Sequence, residues 1–161
     1  MRFNNKKETS LVPSIYIIIV AVFITNSFAS LELKYDDTPF NYSSLIPNLI
    51  ALLVAIYIFI VGRSFEFDSD GETLNFKSNG LLISKFMHYR EQRTEVPKSK
   101  LRDFKIINFW VYKKLHIYIN SRNKKGYRHY KYNITFLGGK KRKSLKQSLA
   151  KVVERNNKVK A

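Results

Sequence analysis

The residues of this chain best suited to chemistry are cations, and they come in clusters. Lys140-Lys-Arg-Lys143 is an unbroken basic run, with Lys146, Lys151 and Arg155 after it. A second cluster comprises Arg122, Lys124, Lys125, Arg128 and Lys131, and a third Lys98, Lys100, Arg102 and Lys105. Ammonium and guanidinium groups at this density attract anions: the headgroups of an anionic leaflet, or nucleic-acid phosphates. Each Lys or Arg that reaches an anionic membrane surface contributes about 1 kcal/mol, and the effect fades within a Debye length. Solvation and membrane orientation alone also call for such charge.

Other chemistry has few players. The chain has no cysteine, which removes disulfides, thiolate catalysis and Cys-based zinc sites. Its three histidines, His88, His116 and His129, lack ligand spacing, although His116 and His129 could meet across a hairpin as a metal-binding pair. From Gly62 onward there are 25 Lys/Arg but eight Asp/Glu, so general acid–base catalysis has little to draw on. No H-E-x-x-H, Gly-rich phosphate loop or Ser/His/Asp arrangement occurs. The expectation is a noncatalytic protein with no cofactor, metal or small-molecule substrate. Tyr112, Tyr118, Tyr127, Tyr130 and Tyr132 interleave with Lys and Arg as base-stacking residues would, yet aromatic residues on strands usually serve packing. Trp110, beside Phe109 and Tyr112, could anchor a protein interface, sit at a membrane–water boundary or fill the core.

Two apolar runs decide where these groups are held. Leu11–Ala29 and Leu45–Val61 contain no Asp, Glu, Lys, Arg or His. As helices they rise roughly 28 and 25 Å, about the depth of a bilayer core, where every backbone polar group must be satisfied internally. Arg2, Lys6 and Lys7 precede the first run, Arg63 follows the second, and Ser30–Ser44 between them carries one Lys against three acids. Positive flanks stay inside, so the expectation is a hairpin over residues 1–63, with helices at about 11–29 and 45–62. Both termini and the domain over 64–161 are then cytoplasmic, and the acidic loop 30–44 is external. Met1–Lys7 and Ser27-Phe28-Ala29 also fit a signal peptide, but the run is longer than a usual signal core and Asn26 interrupts it. Pro13 and Pro47 are placed in the first turns of the two helices, with Ser43 or Ser44 capping the second.

After Arg63 the pattern turns to alternation, the mark of strands. Phe65/Phe67 and Leu74/Phe76 flank Asp70-Gly71, and Asn79-Gly80 is a second turn signal. These features predict a meander over Ser64–Tyr89, with Leu81–Tyr89 as its third strand. Further strands are predicted over Glu91–Val96, Leu101–Phe109, Val111–Asn120 and Tyr127–Leu137. In the penultimate one Val111, Leu115, Ile117 and Ile119 share a face, with His116 and Tyr118 opposite. Gly138-Gly139 ends the last. Ser144-Leu-Lys-Gln147 then fits a capping box for a helix of about 11 residues, whose stripe is Leu145, Leu149, Val152 and Val153.

Two apolar helices, about seven short strands and one amphipathic helix make an α+β membrane protein. With Phe65-Glu-Phe-Asp, Leu74-Asn-Phe and Thr94-Glu-Val-Pro-Lys-Ser-Lys-Leu-Arg-Asp-Phe, the chain resembles the bacterial pleckstrin-homology-like membrane proteins. That resemblance implies two roughly orthogonal antiparallel sheets, plugged at one corner by the C-terminal helix, and no catalysis. The expected role is an accessory or scaffold subunit of the inner membrane, docking on a larger integral membrane complex or on anionic lipids. The contact residues would be Arg122, Lys124, Lys125, Arg128, Lys140, Lys141, Arg142, Lys143 and Lys146, with Trp110 as interface aromatic. The rival is a membrane-tethered binder of nucleic acid, such as ribosomal RNA.

Overall fold

The computed structural model describes residues 1–32, 42–81, 91–121 and 126–159. In chain order these form β1 (Arg2–Asn4), α1 (Lys6–Thr9), α2 (Val12–Glu32), α3 (Tyr42–Val61), β2 (Arg63–Asp68), β3 (Thr73–Gly80) and β4 (Gln92–Pro97). A 3-10 turn (Lys98–Lys100), β5 (Leu101–Asn108), β6 (Lys113–Asn120), β7 (Tyr127–Asn133) and α4 (Gly139–Lys158) follow. The fold is α+β: an apolar N-terminal helix, antiparallel sheets of four and three strands in the orders β1-β2-β3-β4 and β5-β6-β7, and a C-terminal helix.

Lys6–Ala29 is the described stretch long and apolar enough to cross a membrane, and Leu45–Val61 is a shorter apolar helix. The two lie against each other along Tyr16, Ile19 and Phe23 on one side and Ala51, Leu52 and Ala55 on the other. Elsewhere their apolar side chains, among them Ile17, Ile18, Ile46 and Leu53, face outward. The Thr25 and Ser27 hydroxyls donate to Val22 and Phe23 carbonyls of their own helix. Pro47 lies inside α3 rather than in its first turn, because the helix starts at Tyr42; Ser43 and Ser44 are therefore helical residues, not caps.

The core fills the space between the sheets. Phe65, Phe67, Leu74, Phe76 and Val96 from the first meet Leu101, Leu115, Ile117, Ile119 and Tyr132 from the second, and Leu145 and Leu149 of α4 join them. An aromatic row threads it, with centroids 5.3 Å apart for Phe3–Phe67, 5.2 Å for Phe67–Phe76 and 5.4 Å for Phe76–Tyr132. Val152 and Val153 pack against this core, completing the predicted stripe.

Several expectations need correction. Asp70-Gly71 is the β2–β3 turn, with Gly71 at φ 66°, a conformation glycine adopts at no steric cost. Asn79-Gly80, however, is no turn: both residues lie in β3, opposite Ser64 and Arg63. The place beside β3 expected for Leu81–Tyr89 belongs to Gln92–Pro97; residues 82–90 lie outside the described set. Val111 is exposed in the β5–β6 turn and leaves the buried face to Leu115, Ile117 and Ile119. The last strand stops at Asn133, and Ile134 and Leu137 are buried in the turn beyond it. The closing helix starts at Gly139, with Gly138 as N-cap, so Ser144 is interior and Lys140–Lys143 form its first turns. The Gly-Gly pair is a strand breaker that here also tolerates helix entry.

The strand not anticipated is β1. Arg2, Phe3 and Asn4 pair with Asp68, Phe67 and Glu66. Asn5, fully buried, accepts the Phe65 N–H on Oδ1 at 2.7 Å and gives its own N–H to the Phe65 carbonyl at 3.1 Å. Loss of the segment before Ala29, as a signal peptide would be lost, would remove an edge strand and this buried amide together.

Candidate functional site

Among the described residues, the predicted basic side chains do not form one site. Arg142, Lys143 and Lys146 project from the first turns of α4 toward β5, where Phe104, Lys105, Ile106 and Asn108 form the opposite wall. The groove between them has a volume near 490 Å³. It is bordered by four cations, with Phe104 and Ile106 as apolar lining. The Arg142 Nε is buried and has no hydrogen-bond partner. Lys143, Lys146 and Lys105 are exposed at the rim. Repulsion among such groups is relieved by an anion, and a guanidinium edge suits two oxygens of a phosphate or carboxylate.

Lys141 has a different task. Its Nζ donates to the Asn4 carbonyl at 2.8 Å and to Glu8 Oε1 at 2.6 Å, so it ties α4 to the segment that enters the apolar helix. Lys140 is exposed at the helix start. Arg128 lies on β7, in a separate cleft with Lys100, Glu95 and Tyr130. Arg122, Lys124 and Lys125 lie outside the described residues. Trp110 is fully exposed at 104 %, which excludes the core reading.

The groove is anchored at both ends. At the α4 end, Lys141 holds Glu8, four residues before α2 begins. At the β5 end, the turn after Asn108 meets α3, where the Tyr57 hydroxyl donates to the Val111 carbonyl at 2.6 Å. Both walls therefore finish beside an apolar helix.

The tyrosines divide as well. Tyr132 is buried, and burial pushes its hydroxyl up to about 12. Tyr130 packs on the core, and Tyr112 lies under Lys114 Nζ at 4.7 Å from its ring. Tyr118 and Tyr127 remain on the outer face of the second sheet, near Arg102, Lys105 and Lys131. His116 and His129 do meet: Nδ1 of the first and Nε2 of the second are 2.8 Å apart, and the His129 ring stacks on Tyr118 at 4.7 Å. Burial, His129 and Lys131, Lys114 and Lys105 together hold His116 below the usual imidazole value. Among the described residues no three His, Cys, Asp or Glu side chains are placed to share a metal ion.

Sequence reasoning grouped Lys105 with Lys98, Lys100 and Arg102; it shares β5 with Arg102 and also borders the groove lined by Arg142, Lys143 and Lys146. Its only signal was a charge alternating with Phe104 and Ile106 on a strand. No protein-family model, curated protein or solved structure matches the chain.

Proposed function

We propose that the chain is a noncatalytic, two-pass protein of the bacterial inner membrane, whose basic, pleckstrin-homology-like cytoplasmic domain docks on anionic lipid headgroups as an accessory or scaffold subunit beside a larger membrane assembly. The observation that carries this reading is the groove of Lys105, Arg142, Lys143 and Lys146, with the buried Arg142 Nε lacking an acceptor. A phosphate at the membrane surface supplies that acceptor and neutralises the repulsion.

The two-pass arrangement draws support from β1. Because β1 and β2 pair, α2 begins and α3 ends at the same sheet, and two adjacent apolar helices that start and finish on one side form a hairpin. Leu45–Val61 is long enough to span if the bilayer thins slightly or its flanks snorkel. Positive flanks then put the sheet domain in the cytoplasm. Two antiparallel sheets closed by a C-terminal helix agree with the pleckstrin-homology-like expectation.

The test is purification of the full chain from membranes in mild detergent, followed by native mass spectrometry. Anionic phospholipid should be retained, and Lys105→Ala, Lys143→Ala or Lys146→Ala should each weaken retention about fivefold, the equivalent of about 1 kcal/mol per cation. Retention of neutral lipid alone, or none, ends the lipid reading. Recovery of the bait without a protein partner ends the subunit reading.

A second reading keeps one specific observation. Tyr118, Tyr127 and His129 share the outer sheet face with Arg102, Lys105 and Lys131, a pattern that suits unpaired bases. The rings already stack on one another, which favours the lipid reading. RNA that copurifies through moderate salt would reverse that preference.

A further inference from the structure

The β5–β6 connection is an unusual turn. Its residues are Phe109, Trp110, Val111 and Tyr112, closed by a hydrogen bond from the Phe109 N–H to the Tyr112 carbonyl at 2.8 Å. Tight turns in water favour Gly, Asn, Asp, Pro and Ser. Here the three tip residues are apolar, and Phe109, Trp110 and Val111 are 49 %, 104 % and 54 % exposed. The Phe109 and Tyr112 rings brace each other at 4.6 Å, so the tip is shaped without help from the core.

The tip is also tied to an apolar helix. The Tyr57 hydroxyl holds the Val111 carbonyl at 2.6 Å. Tyr57 precedes the end of α3 at Val61 by about one turn, or roughly 6 Å along the axis. Above the tip the charge is positive: Lys113 and Lys114 follow it on β6, and Lys105, Lys143 and Lys146 line the groove that begins at Asn108. Apolar residues at the depth of a helix end, with cations one layer above, is the order of groups that a membrane interface selects.

We infer that the Phe109–Tyr112 turn is a third membrane contact, a wedge that inserts Trp110 and its neighbours at the boundary between headgroups and acyl chains. This rests on the hairpin reading, since it takes α3 to be in the bilayer. The occupant is the lipid interface rather than a protein, because the tip lies against the outward flank of a helix whose other exposed residues are themselves apolar. With the wedge seated, the sheet domain has three attachments, α2, α3 and the turn. Three points define a plane, so the groove is held facing the headgroups instead of swinging on its two helices.

Trp110 is the only tryptophan in the chain, so intrinsic tryptophan emission reports this site alone. The full chain is reconstituted in phosphatidylcholine–phosphatidylglycerol vesicles, and its emission is read with lipids brominated at shallow or deep acyl positions and with aqueous iodide. The expected result is strong loss of emission with shallow bromines, weaker loss with deep ones, and little loss with iodide. Tyr57→Phe should raise the iodide sensitivity, because the tie to α3 is cut while the ring remains. Alkaline carbonate extraction of the same vesicles separates the two claims. A carbonate-resistant chain whose Trp110 is quenched by iodide overturns the wedge and leaves the hairpin intact. A chain that carbonate extracts overturns the hairpin and the wedge with it. Emission indifferent to both quenchers puts Trp110 against protein, such as a second copy, and also overturns the wedge.

Discussion

Asn5 is buried and ties the N-terminal segment to β2 through its side-chain amide and to Thr9 through its backbone carbonyl. Oδ1 takes the Phe65 N–H at 2.7 Å, Nδ2 reaches the Arg63 carbonyl at 3.4 Å, and its own carbonyl accepts the Thr9 hydroxyl at 2.9 Å. Asn5→Ala leaves the Phe65 N–H buried without that acceptor, which costs about 1–3 kcal/mol. The expected outcome is a lower melting temperature of the detergent-solubilised chain, and Asn5→Leu should be no milder. His116 carries the pH dependence. Its folded value is depressed by burial first, and then by His129 and by Lys131, Lys114 and Lys105. The unfolded chain takes up that proton near pH 6.5 and the folded chain only at lower pH, so the unfolded state binds more protons between the two values. Stability should therefore be level above about pH 6.5 and fall as the pH drops through that window. His116→Asn should flatten the fall in melts at stepped pH. A chain that gains stability on acidification would contradict the environment described for this ring. The role of Asn5 was not legible in the sequence, where it precedes the apolar run as an ordinary polar residue; the meeting of His116 and His129 across a hairpin was, and the β6–β7 register brings it about, whereas the burial of His116 came only with tertiary packing.

At the level of elements, α4 is the clearest success and a partial miss. The i, i+4 spacing of Leu145 and Leu149 foretold their burial, which is complete. Leu149→Ala should cost about 2–5 kcal/mol by the lost contacts and the cavity left behind. Chemical denaturation of the solubilised chain would check it, and a cost below about 1 kcal/mol would mean that the helix does not seal the core. The start of α4 was misread because a glycine pair and a serine–glutamine box both signal boundaries, and only tertiary contact chooses between them. That contact is the Lys141 link to Asn4 and Glu8, which fastens the first turn to the N-terminal segment. Strand β1 was missed for a related reason. Three residues carry no periodicity, and they become a strand because β2 offers an open edge and Phe3 finds Phe67.

At the scale of the whole molecule, the claim most exposed to test is orientation. The chain has no cysteine, so single cysteines report position without background. Thr38→Cys should be labelled by an impermeant maleimide on intact cells, and the exposed Ser99→Cys only after lysis. The reverse pattern would place the basic domain outside and remove the anionic inner leaflet as its surface. By itself the sequence determined what short-range patterning controls: two uncharged stretches, the strand alternation after Arg63, the apolar stripe of the last helix and the sign of the domain's charge. Hydrophobic period and local charge are properties of neighbouring residues, so they survive without coordinates. The tertiary structure alone decided which cations converge, that Lys141 is tied down while Lys105 joins Arg142, and that the Trp110 turn lies on α3. Those facts depend on register, on strand order and on where chain ends meet, and each arises from contacts between residues tens of positions apart.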